Sequence, residues 1–254
     1  MALLEVNDLT KNFGGLTAVN RLDFQIERGE ILGMIGPNGA GKTTVFNLIT
    51  GIYPPDLGEI LLNSQNLLGL RPHAITEHGI ARTFQTIRLF RNLTVMENVM
   101  AGRHCRTKAG WLKAILKTRQ QRAEEARIRE DANRHLRFMG LYEQRAELAK
   151  NLPYGDQRRL EIARALATDP QLLILDEPAA GLNEQESNQL MDLISQVRDS
   201  GITIFLIEHD MKVVMGISDR IFVLDNGEKI AEGTPDEIQR NPRVIEAYLG
   251  REEG

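Results

Sequence analysis

The segment GPNGAGKTT, Gly36 to Thr44, constrains this chain more than any other. Gly36 to Thr43 fits the spacing G-x-x-x-x-G-K-[ST]. The residues before it, Ile31 to Ile35, are almost wholly apolar, as in a strand buried on both faces of a parallel sheet. Those after it, VFNLIT up to Gly51, read as a helix closed by glycine. A strand, a glycine-rich turn and a helix in that order point backbone N–H groups at an anion, at a helix end that carries partial positive charge. Gly36, Pro37, Asn38, Gly39, Ala40, Gly41, Lys42, Thr43 and Thr44 are therefore candidate phosphate-binding residues. In this arrangement Lys42 reaches the β- and γ-phosphates and the Thr43 hydroxyl serves Mg²⁺.

Such a loop needs an acid on an adjacent strand. QLLILDEP, Gln171 to Pro178, supplies it: Asp176 closes an apolar run and can support Mg²⁺. Glu177 follows, points differently, and can polarise water for attack on a γ-phosphate. Two more polar residues follow strand-like runs. Gln85 in RTFQTIRLF is placed to sense the γ-phosphate and the metal. His209 in IFLIEHD is placed to hydrogen-bond the γ-phosphate. Singly, a loop glutamine is usually solvated and a strand-end histidine is usually structural; their order behind the phosphate loop is what makes them candidates.

The rest of the pattern predicts an α/β fold with a mostly parallel core sheet. Residues 1 to 35 read as strands with a turn at Gly29, forming an antiparallel β section before the loop, and DLGEILLN adds a short strand. After Asp169-Pro170, apolar strands alternate with helices: Leu190, Leu193, Ile194 and Val197 recur at helical spacing. A hairpin turns at Asn226-Gly227 and one terminal helix runs from Thr234-Pro235 to the end of VIEAYLG. The middle is different. Between Arg103 and Arg145 stand twelve Lys or Arg against five Asp or Glu in a helical pattern. We read 1–254 as a single domain with a helical subdomain inserted at about 96–165. The basic stretch is a solvated face or, as a minority reading, a surface near anionic lipid or a partner.

Bulk properties exclude several classes. The net charge of -4 argues against a nucleic-acid partner. Apolar runs such as ITIFLI are about six residues, where a membrane span needs about 20. No basic segment followed by a long apolar one opens the chain, so no signal peptide is expected. The one cysteine, Cys105, cannot form an internal disulfide, and a reducing compartment is expected. No Asn-Lys-x-Asp guanine-reading segment is present, which excludes a phosphate-loop GTPase.

From Phe13 to His209 these motifs together resemble the nucleotide-binding subunit of an ATP-binding cassette (ABC) transporter. GPNGAGKTT resembles its Walker A motif, LLILDEP its Walker B motif with the catalytic glutamate, Gln85 its Q-loop and His209 its switch histidine. PAAGLN resembles its D-loop, with Asn183 where an aspartate is usual. Phe13 in TKNFGG resembles the aromatic that stacks on adenine. LPYGDQ, Leu152 to Gln157, stands where the family has its signature, usually Leu-Ser-Gly-Gly-Gln, which reaches the γ-phosphate held by the other subunit of a dimer. Only Leu152 and Gly155 match that pattern. Pro153 replaces the serine and removes a hydroxyl and an N–H donor, although proline suits a first helical turn. Gly155 remains the candidate trans contact.

The Tyr-Gly-Asp-Gln-Arg-Arg variant, IEHDMKVVMGISDRIFVL and the ending VIEAYLG resemble an ATP-binding subunit of branched-chain amino acid uptake transporters. The resemblance implies ATP and Mg²⁺, a cassette dimer (two copies or a paralogue), membrane permease subunits and, indirectly, a solute-binding protein. It places the chain peripherally on the cytoplasmic face of the inner membrane. The rival readings are an export cassette such as one for lipopolysaccharide, a non-transport cassette ATPase, and a nucleotide-binding regulator without turnover.

Overall fold

The computed structural model describes residues 1–103 and 119–249, so Cys105 and part of the basic stretch lie outside the described residues. The chain divides into two compact units: Met1–Arg82 with the chain from Gln171 onward, and Thr83–Pro170.

In the first unit, β1 (Ala2–Phe13) and β2 (Leu16–Glu27) form a long hairpin through Gly14 and Gly15. Their alternating pattern leaves one face of a four-stranded sheet apolar, completed by β4 (Leu57–Leu62) and β5 (Gln65–Asn66) in the order β2-β1-β4-β5. The second sheet carries the chemistry. It contains β3 (Ile31–Ile35), β6 (Ile80–Arg82), β7 (Leu172–Asp176), β8 (Thr203–Ile207), β9 (Arg220–Asp225) and β10 (Glu228–Gly233), in the order β10-β9-β3-β8-β7-β6. All pairings from β9 to β6 are parallel, and β10 closes one edge antiparallel to β9. Strands β3, β7 and β8 are buried at every position, which is why they read as apolar runs. Phe24, Phe46, Phe205 and Phe222 meet between the sheets with ring centroids 4.8–6.1 Å apart.

Helices α1 (Lys42–Ile49) and α2 (Pro72–His78) belong to the same unit. In the second unit, α3 (Val95–Arg103), α4 (Arg119–Phe138) and α5 (Tyr154–Leu166) pack together. Helix α4 buries Ile128, Ala132 and Leu136, spaced i, i+4, i+8. A Cβ on Gly102 of α3 would collide with the Arg164 carbonyl of α5, so glycine lets these two helices approach. Back in the first unit, α6 (Glu184–Asp199) and α7 (Met211–Ile217) follow β7 and β8.

One element differs from the sequence reading. The single terminal helix is two: α8 (Pro235–Gln239) and α9 (Pro242–Leu249). Pro242 has no N–H to continue a helix and disfavours helical backbone at Asn241, so the first helix stops and a new one starts at the proline.

Candidate active site

The parallel register brings three strand ends level. Ile207 of β8 pairs with Met34 of β3 on one side and with Asp176 of β7 on the other. The phosphate loop, the Asp176-Glu177 pair and the His209 turn therefore leave the sheet at its carboxyl edge, where open α/β sheets bind ligands.

The loop geometry follows from its glycines. Gly39 and Gly41 hold φ +82° and +105°, in the left-handed region that favours glycine. A Cβ on Gly41 would strike the Ala18 carbonyl of β2, and one on Gly36 the Leu224 carbonyl of β9. The loop is thus wedged against β2 and β9. Helix α1 begins at Lys42 with no side-chain cap and no acid in its first turn. Its first-turn N–H groups have no partner within the helix, as at any helix start. The Lys42 ammonium folds back over the loop, donating to the carbonyls of Gly36 at 2.6 Å and Pro37 at 3.0 Å. Burial lowers its pKa, while the Glu177 and Asp176 carboxylates act in the opposite direction.

Asp176 is buried and accepts from Arg82 Nη2 at 2.8 Å. The same guanidinium donates to Asn47 Oδ1 at 2.7 Å and Thr50 Oγ1 at 3.3 Å, both on the α1 side. Sequence reading missed Arg82: it ends a strand of three residues, and its partner lies 94 positions away. Glu177 departs from the strand at φ +47°, a left-handed conformation unusual for a residue with a side chain. This turn separates its direction from that of Asp176. The Glu177 N–H still donates to the Ile207 carbonyl at 2.9 Å. His209 Nδ1 lies 3.5 Å from Glu177 Oε2, with the imidazole 63% exposed and the carboxylate 19% exposed. A base candidate, a switch candidate and a lysine over an open-ended loop thus share one sheet edge.

Phe13 ends β1 and is 43% exposed. The Tyr53 ring meets it edge-on at 5.3 Å and Lys11 Nζ lies 5.6 Å from its centroid. A half-exposed aromatic fixed by a second ring suits stacking on a planar base. Asn183 caps α6: its Oδ1 accepts from the Glu186 N–H at 2.9 Å, and its own N–H donates to Glu186 Oε2 at 3.0 Å. Asn and Asp are equivalent caps, so asparagine at this position keeps the local structure.

Gln85 and Gly155 belong to the second unit. There they are linked through a residue the sequence reading passed over. Arg158, fully buried on α5, donates to the carbonyls of Phe84 and Gln85, each at 2.8 Å, and to Glu161 Oε2 at 2.9 Å. Glu161 Oε1 accepts from the Arg88 N–H at 3.1 Å. The helix that starts at the variant signature thereby holds the backbone of Gln85. Pro153 is the N-cap of α5 rather than its first helical residue, and no side chain caps the helix. Its initial N–H groups, from Tyr154 and Gly155 on, begin a 13-residue helix.

Comparison with known proteins decides the family. A family model described as ABC transporter matches residues 19–180. The chain belongs to the ABC transporter ATP-binding family. A second model, described as branched-chain amino acid ATP-binding cassette transporter, matches residues 228–254 of this cassette. The cassette is 51% identical over 249 residues to the high-affinity branched-chain amino acid transport ATP-binding protein LivG of Escherichia coli K12, covering 98% of each chain. It is 47% identical to BraF, of the same description, from Pseudomonas aeruginosa, again over 98% of each. Among solved structures, the ADP conformation of the ATP-binding cassette MJ1267 superposes with a TM-score of 0.86 at 30% identity, covering 99% of this chain and all of that one.

Proposed function

We propose that this cassette hydrolyses ATP to power an importer of branched-chain amino acids. The observation that carries the ATPase reading is the Glu177–His209 pair, 3.5 Å apart at the sheet edge shared with the phosphate loop. The substrate class rests on the 51% identity to a branched-chain amino acid transport protein and on the match of the C-terminal segment.

The residues fit a nucleotide and a divalent cation. The uncapped start of α1 and the inward Lys42 suit the phosphates. A buried carboxylate at a strand end, Asp176, beside the phosphate loop suits Mg²⁺, which is bound through one or two carboxylates with substrate phosphates and water. The Thr43 hydroxyl and Asp176, both in the first unit, are its proposed protein ligands. Bound there, the cation would neutralise charge developing on the phosphates.

Phe13 stacks on adenine. The N–H groups of Gly36 to Thr44 and the Lys42 ammonium hold the phosphates. Glu177 orients a water and accepts its proton as the water oxygen bonds to the γ-phosphorus. The bond from that phosphorus to the bridging oxygen breaks, leaving ADP and inorganic phosphate. His209 hydrogen-bonds the γ-phosphate, and Gly155 of a second cassette offers its N–H to the same group. Closure of that dimer drives membrane permease subunits. No helix among the described residues is long and apolar enough to cross a membrane. In this reading translocation falls to those partners, and the cassette sits peripherally on the cytoplasmic face.

Deleting the coding gene and measuring uptake of labelled leucine, isoleucine and valine tests this reading. Uptake should fall, and return with the parent chain and not with Lys42→Ala. Undiminished uptake in the deletion strain would refute the substrate assignment.

A further inference from the structure

Glu208 sits between the end of β8 and His209, and its side chain is 1% exposed. A buried carboxyl is costly unless its oxygens find donors. Both do. Oε1 accepts from the Ala179 N–H at 2.8 Å, and Oε2 accepts from the His209 N–H at 3.2 Å. Oε2 also lies 3.9 Å from His209 Nδ1, and the Asp210 N–H faces the same carboxyl.

These contacts join two turns. Ala179 is two residues beyond Glu177, whose own N–H is bonded to Ile207. The turn after β7 is therefore held to the turn after β8 at two points, once by backbone and once by the Glu208 side chain. The pair held 3.5 Å apart, Glu177 and His209, stands on those two turns. A plain core residue at position 208 would fill the same volume and leave the Ala179 and His209 N–H groups without this acceptor.

We propose that Glu208 is a positioning residue: its carboxyl locks the turn bearing Glu177 to the turn bearing His209 and so sets the geometry of that pair. This rests on the ATPase reading of Glu177 and His209. The contacts of Glu208 with Ala179 and His209 lie on the two turns after β7 and β8, away from Phe13 and the phosphate loop. Its removal therefore acts on turnover and leaves nucleotide binding in place.

The test uses the purified full-length chain with Glu208→Gln and Glu208→Leu. Glutamine keeps the shape but turns one acceptor into a donor that faces an N–H group; leucine keeps the burial and loses both acceptors. Because a buried acceptor of two turn N–H groups is lost, kcat for phosphate release should fall roughly 10-fold or more in both. The dissociation constant for a non-hydrolysable ATP analogue should stay within about two-fold, as for a contact outside ground-state binding. Hydrogen exchange at the Ala179 and His209 amides should accelerate in the nucleotide-free variants. Folded variants with parent kcat, or with parent exchange at both amides, overturn the inference; so does a lower melting temperature with unchanged turnover, which marks a core residue only. Glu177→Gln is assayed alongside. If it hydrolyses ATP at the parent rate, the ATPase-centre reading fails; if it is inert while the Glu208 variants match the parent, only the positioning role fails.

Discussion

Replacing Arg82 with alanine should destabilise the first unit by about 3–5 kcal/mol, the range for removing one partner of a buried ion pair. The two side chains are only 7% and 8% exposed, and the Arg82 Nη2 to Asp176 Oδ2 contact is 2.8 Å. Alanine would leave the Asp176 carboxylate buried without that donor. It would also remove the hydrogen bonds to Asn47 and Thr50 and the contact over the Phe46 ring at 5.4 Å. Two hydrogen bonds from the charged guanidinium to neutral acceptors, at roughly 1.5–3 kcal/mol each when well made, put the loss at the top of that range. The double variant Arg82→Met with Asp176→Leu should lose far less than the sum of its parts, because apolar replacement of a whole buried pair is often near neutral. Urea denaturation followed by circular dichroism measures all three. Magnesium should recover part of the Arg82→Ala deficit if Asp176 also serves the cation. A single variant within about 1 kcal/mol of the parent would refute the reasoning, since it would show an exposed-type pair.

Three further outcomes are expected. Phe13→Ala should weaken nucleotide binding by roughly 1–3 kcal/mol with saturated turnover nearly unchanged; an unaltered dissociation constant by calorimetry would reduce Phe13 to a hairpin-tip residue. Gly155→Glu adds volume and negative charge at the start of α5. It should leave ATP binding to a single chain intact and eliminate ATP-dependent dimerisation, and normal dimers by light scattering would make LPYGDQ only a helix start. Burial raises the Glu208 pKa above the ordinary 4.5, so the folded chain keeps a proton that the unfolded chain has released. Its stabilisation is then complete below pH 4.5 and is lost as pH rises through the raised value. Glu208→Gln should flatten the fall in stability across that window, and equal pH slopes in urea titrations would contradict this.

What could be read from the residues was what local pattern encodes. Ile31–Ile35, Leu172–Asp176 and Thr203–Ile207 are buried throughout, so continuous apolar runs marked them and placed Asp176 at a strand end. The phosphate loop was legible because its glycines answer to local backbone geometry at φ +82° and +105°. Residues whose importance is a distant partner were not legible. Arg82 meets Asp176, and Arg158 meets Phe84 and Gln85; in one dimension each looks like a solvated charge. Glu208 was not singled out beside His209 in IFLIEHD, although its burial shows that the core continues one residue past the strand. A short element also escaped: α2 has seven residues, too few for periodicity to emerge. The break before Pro242 was different. The signal was present in Asn241-Pro242, and the helical spacing on either side masked it.

The central claim is that Glu177, held beside His209 at the sheet edge, is the base for ATP hydrolysis. Glu177→Gln keeps the shape of the side chain and removes the base. Phosphate release measured under saturating ATP and magnesium should fall by about 10²- to 10⁴-fold, as for loss of a positioned base. ATP affinity should be retained, and ATP-bound dimers should accumulate. Hydrolysis by this variant at the parent rate would contradict the account.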